Sequence, residues 1–123
     1  MTSKYRMSID GYGCKNSRSL DGCNQFLTML AETLKINERQ RQLTGYPLAQ
    51  QSESNVDDAN PGISAQMIFL ESGLQLHTWP EKKEESVDIF SCLEFDRVLV
   101  KKAFKLFFRP DKIKVWYRSV ERR

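Results

Sequence analysis

The sequence predicts a single α+β domain, a two-layer sandwich with a mostly antiparallel sheet and helices packed on one face. Most of the chain consists of short segments in which apolar and polar residues alternate, a pattern typical of half-buried strands. Two segments with helical spacing interrupt them, and the mid-chain connections have hairpin length, which favours antiparallel pairing. With 123 residues, the chain from 1 to 123 is long enough for one domain with one core.

The first half of the chain predicts a strand, a helix and a weaker strand. Residues 5–13 alternate loosely and predict the first strand. Ser19 or Asp21 is placed to cap a helix. The apolar residues of this helix follow helical spacing: Phe26, Leu27, Leu30 and Leu34. Residues 42–50 are weakly strand-like.

The middle of the chain predicts a loop followed by three strands. The polar stretch Gln51–Gly62 predicts the loop, and the apolar stretch Ile63–Leu70 predicts the first of these strands. Alternating residues then predict a short strand that ends at Pro80. Glu81–Glu85 is interpreted as a charged turn, and Val87–Cys92 as the returning strand.

The last part of the chain predicts a second helix and a final strand. Asp96 is placed to cap the helix, which ends before Pro110 because proline cannot continue it. Its apolar residues are Val98, Leu99, Ala103, Leu106 and Phe107. Residues 113–117 alternate and predict the last strand, so the predicted element order is βαβ(ββ)αβ.

Composition excludes several classes of protein. Charges interrupt every apolar stretch, so we expect no membrane-spanning segment, and the first residues lack the apolar core of a secretory signal. The cysteines Cys14, Cys23 and Cys92 are odd in number and lack CxxC spacing, which favours a cytoplasmic protein without structural disulfides or zinc. The lone His77 and the scattered acids predict no other metal site.

Basic residues collect near the end of the chain. From Arg97 onward lie Lys101, Lys102, Lys105, Arg109, Lys112, Lys114, Arg118, Arg122 and Arg123, with few acids between them. These cations could form a nucleic-acid surface with Phe108, Trp116 or Tyr117 as stacking partners. The interpretation we favour is that they form the solvated face of a helix followed by a strand. Because no RNA-binding signature accompanies them, we expect no nucleic-acid partner.

Three chemically versatile residues lie within about twenty positions. Ser72 follows Glu71 and precedes His77 by five residues, and Cys92 comes twenty residues after Ser72. Imidazole is the side chain best suited to act as a base near neutral pH, and His77 is the only histidine in the chain. A thiol such as that of Cys92 can donate a proton, because its pKa is easily moved toward neutrality.

The spacing of these residues resembles the self-cleaving core of the S-adenosylmethionine decarboxylases, pyruvoyl-dependent enzymes of spermidine and polyamine biosynthesis. In that family the serine precedes a His-Thr-Trp-Pro-Glu motif by the same step, found here from His77 to Glu81. The family cysteine closes an Asp-x-Phe-x-Cys stretch, found here from Asp88 to Cys92. A second family serine, eight residues upstream, matches Ser64. The chain fits the short bacterial and archaeal type.

The resemblance implies self-cleavage between Glu71 and Ser72, giving a beta chain of residues 1–71 and an alpha chain of residues 72–123. The Ser72 hydroxyl attacks the Glu71 carbonyl, and the resulting ester eliminates with His77 as the base and Ser64 assisting. Ser72 thereby becomes a covalent pyruvoyl group, the cofactor. Its ketone forms a Schiff base with the substrate amine and acts as an electron sink for decarboxylation. Cys92 then protonates the product carbanion.

The resemblance also assigns the substrate contacts and a partner. Trp79 stacks on the adenine of S-adenosylmethionine, and Glu81 accepts hydrogen bonds from its ribose. Ser72 and His77 are an odd number of residues apart, so on one regular strand their side chains point to opposite faces. Either the chain bends sharply near Gly73 or two protomers share each site. The resemblance favours the second, a two-fold homodimer with active sites at its interface.

Departures from the family pattern leave two alternatives open. Asp57 and Asp58 stand near the position of a family phenylalanine, although Tyr46 could supply the ring. Acids there would suit ornithine or arginine, which favours a pyruvoyl-dependent decarboxylase of those amino acids. Gly73 and Leu93 replace a family histidine and glycine, which favours a regulatory homologue that does not process itself.

Overall fold

The computed structural model describes residues 3–16, 19–34, 48–51, 62–69 and 72–120. These residues form six strands, two α-helices and one short 3-10 turn. In chain order the elements are β1 (Lys4–Tyr12), α1 (Leu20–Thr33), β2 (Leu48–Gln51), β3 (Ile63–Phe69), β4 (Ser72–Trp79), the turn Pro80–Lys82, β5 (Glu84–Ser91), α2 (Arg97–Phe108) and β6 (Lys112–Val120).

All six strands belong to one sheet, in the order β2-β3-β4-β5-β1-β6. Every pairing between these strands is antiparallel. The strands from β2 to β5 follow one another as hairpins, whereas β1 inserts between β5 and β6. Together with two helices this is an α+β sandwich, as the sequence predicts.

Both helices begin where the sequence places a capping residue. The Ser19 hydroxyl accepts a hydrogen bond from the Gly22 amide at 3.1 Å. An Asp96 carboxylate oxygen accepts from the Val98 and Leu99 amides at 2.9 and 3.2 Å. Each cap satisfies amide groups that the first turn of a helix leaves without partners. The helix α2 ends at Phe108, and the left-handed backbone of the next residue, Arg109 (φ 48°), turns the chain before Pro110.

The two faces of the sheet differ in polarity. Inward residues of the strands join the helices in one core, whose largest fully buried side chains include Phe26, Phe104, Phe108, Met7, Ile9, Leu74, Leu76 and Val87. The alternate residues point away from the helices. We call this second surface the open face; it carries Arg6, Ser8, Asp10, Ser64, Gln66, Ile68, Gly73, Gln75, His77, Trp79, Ser86, Asp88, Phe90, Lys114, Trp116 and Arg118.

The predicted charged turn at Glu81–Glu85 is wrong in its second half. Lys83 takes a left-handed backbone (φ 54°) and completes the reversal early. Glu84 and Glu85 are therefore already paired with β4. Because strand residues alternate, Glu85 faces the helices and is only 3% exposed. A charged residue in a turn-like sequence is thus a core residue here.

The remaining strand predictions agree with the structure within its described part. The weak strand predicted at 42–50 overlaps β2, although residues 42–47 lie outside the described residues. So do residues 52–61 of the predicted loop. The sharp bend considered near Gly73 does not occur, because β4 runs without interruption from Ser72 to Trp79.

Candidate active site

The structure brings Ser64 and His77 together. These residues lie directly opposite each other on the paired strands β3 and β4. The Ser64 hydroxyl oxygen is 3.0 Å from Nδ1 of His77, a hydrogen bond whose direction depends on the imidazole tautomer. Both side chains are half-buried on the open face. An imidazole in contact with a hydroxyl is equipped to move protons.

The structure also brings Ser72 and Cys92 together. Ser72 is the first residue of β4, and Cys92 directly follows β5 on the neighbouring strand. The Ser72 oxygen is 4.0 Å from the Cys92 sulfur, and either group could donate. Ser72 is only 6% exposed, and Cys92 is half-buried. The Ser91 hydroxyl, bonded to both the amide and the carbonyl of Leu93, fixes the backbone just after the thiol.

These two contacts lie on opposite sides of the same strand. Along β4 the burial alternates, so Ser72 shares the helix-facing side with Leu74, whereas His77 shares the open face with Gln75. Five residues of extended strand separate Ser72 from His77, roughly 16 Å along the chain. One protomer therefore forms a hydroxyl–thiol pair and a hydroxyl–imidazole pair but does not unite them.

Trp79 and Glu81 lie at the His77 end of β4. The Trp79 indole is 38% exposed on the open face, and its ring centre is 6.2 Å from that of His77, with the planes tilted by 33°. Glu81 is exposed in the turn Pro80–Lys82 that follows. An aromatic face and a carboxylate thus stand next to the imidazole, where they can contact a ring and hydroxyl groups.

Several predicted site residues lie outside the described residues. Ser72 pairs with Phe69, so β3 and β4 are joined by two residues, of which Glu71 is the second. Glu71 itself is not described, nor are Tyr46, Asp57 and Asp58. Their predicted roles stay predictions.

A groove on the open face was not foreseen from the sequence. It has a volume of about 460 Å³ and is lined in part by Arg6, Gly73, Asp88, Phe90 and Trp116. The Arg6 guanidinium lies 5.1 Å from the Phe90 ring centre, and Asp88 accepts a hydrogen bond from a serine of β1 at 2.5 Å. The period-two alternation of β1 and β5 could have indicated this cluster, but only with the register known.

A second unforeseen feature is an acid beside a buried thiol. Cys14 is 5% exposed and its amide donates to the Lys83 carbonyl at 2.9 Å. Burial raises the pKa of the Cys14 thiol to about 12, and the charge and hydrogen bonding of nearby Glu85 add to the rise. This thiol is therefore protonated at neutral pH, which makes it a poor nucleophile.

Neither metal ligands nor a membrane-spanning helix emerge from the described segments. Within them no three His, Cys, Asp or Glu side chains are grouped closely enough to hold a metal ion. None of the helices seen there has the length and apolar character to cross a membrane.

Comparison with known proteins adds sequence relatives. Curated S-adenosylmethionine decarboxylase proenzymes match parts of the chain: that of Archaeoglobus fulgidus is 41% identical over 56 residues, 42% of this chain and 48% of that protein. The Thermodesulfovibrio yellowstonii proenzyme is 46% identical over 41 residues, 32% of this chain and 30% of that protein. The Saccharolobus islandicus proenzyme is 52% identical over 31 residues, 25% of each. The chain thus spans about half or less of the length of these relatives.

A solved structure and a family model extend the likeness to nearly the whole chain. The crystal structure of the adenosylmethionine decarboxylase from Aquifex aeolicus VF5 superposes with a TM-score of 0.57, covering 95% of this chain and 89% of that one. At 18% identity this shows a shared fold. The family model described as S-adenosylmethionine decarboxylase matches residues 5–123. That match covers far more than half of the chain and includes both the Ser64–His77 and the Ser72–Cys92 contacts. The chain therefore belongs to the S-adenosylmethionine decarboxylase family.

Proposed function

We propose that this protein is a self-processing, pyruvoyl-dependent S-adenosylmethionine decarboxylase of polyamine and spermidine biosynthesis. One observation carries the proposal: residues far apart in sequence meet in the two pairs that the chemistry requires, Ser64 with His77 and Ser72 with Cys92. Membership of the family and the names of the sequence relatives support the choice of S-adenosylmethionine as substrate.

In the processing step the Ser72 hydroxyl attacks the Glu71 carbonyl carbon, which moves the acyl group from nitrogen to oxygen. A base then removes the α-proton of Ser72, and the ester leaves as the carboxylate that ends at Glu71. Water finally replaces the nitrogen of residue 72, which departs as ammonia. His77, polarised by its contact with the Ser64 hydroxyl at 3.0 Å, is the base we assign to the elimination. The products are residues 1–71 and 72–123.

The surroundings of Ser72 fit a pyruvoyl group at that position. The side chain is nearly fully buried, which excludes bulk water from a reactive carbonyl, and a thiol stands 4.0 Å away. The group supplies an electron sink for the loss of carbon dioxide. We assign to Cys92 the protonation of the substrate carbon, because its sulfur lies 4.0 Å from the side chain of the residue that becomes the pyruvoyl group.

The substrate contacts follow from the open face. Trp79 offers a half-exposed indole, on which an adenine can stack and to which a sulfonium cation is attracted. Glu81 is exposed on the adjoining turn, within the same end of β4, and can accept hydrogen bonds from ribose hydroxyls. The cysteines at positions 14, 23 and 92 form no disulfide with one another, which fits a reducing compartment such as the cytoplasm.

We assign the complete active site to a homodimer. Because β4 is straight, Ser72 and His77 of one protomer stay on opposite sides of the sheet. A second copy can present its Ser64–His77 pair to the Ser72–Cys92 pair of the first, and the reverse, as two-fold symmetry requires. The open face also leaves apolar area uncovered: Ile68 is 65% exposed and Trp116 is 51% exposed.

No observation favours the two alternatives considered from the sequence. The acids that suggested ornithine or arginine, Asp57 and Asp58, lie outside the described residues. The substitutions at Gly73 and Leu93 that suggested a regulatory homologue leave both polar contacts in place. The sequence relatives carry the name of a decarboxylase proenzyme.

Self-cleavage is tested by denaturing mass spectrometry of the purified protein. We expect two fragments, residues 1–71 and a pyruvoyl-blocked piece from 72 to 123, and one uncut chain for Ser72→Ala. The matched control is Ser8→Ala, which removes a sheet hydroxyl from β1 and should leave cleavage complete. A wild-type chain that stays whole after long incubation at neutral pH would contradict the proposed function.

A further inference from the structure

We propose that the carboxamides of Gln66 and Gln75 bind the α-carboxylate of the substrate. Both residues line a small pocket on the open face, with a volume of about 190 Å³, together with Ser64, Ala65 and His77. This assignment rests on the proposed function, because the pocket includes the Ser64–His77 pair of the shared active site. It requires no surface outside that site, since the second subunit of the homodimer closes over the same pocket.

Strand register places the two carboxamides side by side. Gln66 and Gln75 are direct partners in the antiparallel β3–β4 pair, and the next pair on the same face is Ser64 with His77. Side chains opposed in this way start about 5 Å apart at Cβ. Gln66 is half-buried and Gln75 is exposed. No hydrogen bond to either carboxamide is found within residues 62–69 and 72–120, so both amide groups can bind a ligand.

The lining of the pocket suits a group that only accepts hydrogen bonds. Each carboxamide offers an NH₂ donor, and the Ser64 hydroxyl and the imidazole can donate as well. The described lining residues include no acid that would repel an anion. An ionised carboxylate accepts hydrogen bonds at both oxygens and donates none, so it can use all of these donors.

The described lining also contains no lysine or arginine, which fits a carboxylate that must leave as carbon dioxide. When the bond from the α-carbon to the carboxylate breaks, its electron pair stays with the α-carbon and the negative charge leaves the oxygens. An ion pair would therefore stabilise the bound substrate more than the transition state, which slows the reaction. Neutral amide donors hold the carboxylate in place with weaker hydrogen bonds than a cation would form.

The order of side chains along β4 matches the order of groups in the substrate. Trp79, His77 and Gln75 follow one another on the open face. Gln75 lies four residues from Trp79, about 13 Å along an extended strand. A ligand whose adenine stacks on Trp79 therefore reaches Gln75 with its opposite end, which is the α-carbon with its amine and carboxylate. Because the amine condenses with the pyruvoyl ketone, the carboxylate is the group that remains for the pocket.

The test replaces each carboxamide by a carboxylate of nearly the same shape. Gln75→Glu and Gln66→Glu place a negative charge beside that of the substrate, and carbon dioxide release from the processed protein gives KM and kcat. We expect KM for S-adenosylmethionine to rise roughly tenfold or more in each variant, because like charges repel. The change in kcat should be smaller, since the repulsion weakens as carbon dioxide forms. A pocket that bound the sulfonium or the amine would give the opposite sign, a lower KM.

A ligand without the carboxylate separates recognition of that group from a general loss of binding. Methylthioadenosine keeps the adenine, ribose and sulfur but is neutral and has no amino-acid portion. As a competitive inhibitor it should bind both variants within about twofold of the wild type, because it carries no charge for the new carboxylate to repel. An equal loss of affinity for S-adenosylmethionine and methylthioadenosine would overturn the inference.

The matched control is Gln25→Glu, which adds the same charge to an exposed position of α1. It should leave KM within about twofold, because its charge lies in the helix layer and is screened by solvent. The inference is overturned if Gln75→Glu and Gln66→Glu keep the wild-type KM, if their KM falls, or if the control shifts as much.

Two further measurements separate this inference from the proposed function. Loss of self-cleavage or of the homodimer in Gln75→Glu and Gln66→Glu would assign the carboxamides to processing or to a subunit contact, and would overturn the inference alone. A wild-type chain that stays uncut, or that is cut but releases no carbon dioxide from S-adenosylmethionine, would contradict the proposed function, and the inference with it.

Discussion

Backbone pairing fixes the contact between Ser64 and His77, whereas the contact between Ser72 and Cys92 lies where two strands begin and end. Ser64 and His77 are held opposite each other by the β3–β4 register, so their 3.0 Å contact is as rigid as the sheet. Ser72 begins its strand and Cys92 lies just beyond the end of β5. Ser72 is still paired with Phe69, so of the two residues in this 4.0 Å contact only Cys92 lies beyond the strand pairing.

Removing the Cys92 thiol should separate cofactor formation from turnover. We expect Cys92→Ala to cleave at the usual position, because in the proposed mechanism the thiol acts only on the substrate, and to release carbon dioxide roughly a hundredfold more slowly. The measurement is carbon dioxide release from S-adenosylmethionine alongside mass spectrometry of the chain. Cys23→Ala, which removes a buried thiol of α1, is the control and should keep most activity. Full activity in Cys92→Ala would mean that another group supplies the proton.

The three cysteines should differ sharply in reactivity toward alkylating reagents. The pKa of Cys14 is raised to about 12, so at pH 8 only about one thiol in ten thousand is ionised at that position. Cys23 is fully buried, whereas Cys92 is half-buried. We expect iodoacetamide to modify Cys92 first in the folded protein, and all three only after unfolding. Peptide mapping checks the order, and early labelling of Cys14 would contradict the burial described here.

At the level of elements, β1 and α2 pack so closely that a glycine is required between them. A Cβ atom added at Gly11 would lie 2.6 Å from the Phe104 ring, so ring and strand would have to separate. At Gly73 an added Cβ would meet only the Met67 carbonyl oxygen, at an ordinary 3.6 Å. We expect Gly11→Ala to lower the free energy of unfolding by about 1–3 kcal/mol.

Gly73→Ala is the matched control for that change. It should leave the free energy of unfolding equal or raise it by up to about 1 kcal/mol, because alanine loses less conformational freedom than glycine in a strand. Urea denaturation of both variants, made in a Ser72→Ala background so that every chain is uncut, measures the difference. Equal stability of the two alanine variants would show that α2 can shift away from the sheet at little cost.

The elements themselves could largely be predicted from the sequence. Ser19 and Asp96 predict where both helices begin, because short polar side chains accept hydrogen bonds from the amide groups of the first helical turn. The alternation of apolar and polar residues predicts the strands. Glu85 could not be predicted as a core residue, because its burial depends on where the preceding turn ends. The turn ends early because Lys83 takes a left-handed backbone. A lysine in the sequence does not indicate that conformation.

For the whole molecule, the central prediction is that each active site draws on two chains. The Ser72→Ala chain keeps His77 but lacks the serine, and the His77→Ala chain keeps Ser72 but lacks the imidazole. Neither variant should therefore cleave when it is produced alone. When the two are produced together, random pairing should let about half of the His77→Ala chains be cut. Mass spectrometry of chains carrying distinct tags distinguishes them.

The control replaces the Ser72→Ala chain with one carrying both Ser72→Ala and His77→Ala. No imidazole is then present at position 77 in either chain, and cleavage should stop. If the mixture of single variants also stays uncut while the wild type is processed, His77 acts within its own chain and the shared-site proposal is wrong.

The site was less predictable than the fold because its geometry involves both faces of a strand. The resemblance to the decarboxylase family grouped Ser64 with Ser72, His77 and Cys92, and the odd separation of Ser72 and His77 indicated that these two side chains lie on opposite faces of one strand. Which residues meet was decided by the antiparallel register of β3 with β4, and a register cannot be deduced from spacing alone. The groove lined by Arg6, Asp88 and Phe90 depends in the same way on the β1–β5 register.

The position of β1 in the sheet has a consequence for a chain severed before Ser72. The leading fragment would hold β1, β2 and β3, and the trailing fragment β4, β5 and β6, yet the order β2-β3-β4-β5-β1-β6 interleaves them. Three strand pairs would join the fragments: β3 with β4, β5 with β1, and β1 with β6. The strand β1 would thus be hydrogen-bonded on both edges to strands of the trailing fragment. Such a nicked molecule stays whole without a covalent link, but once denatured it must find its other half by diffusion, so its recovery should depend on concentration.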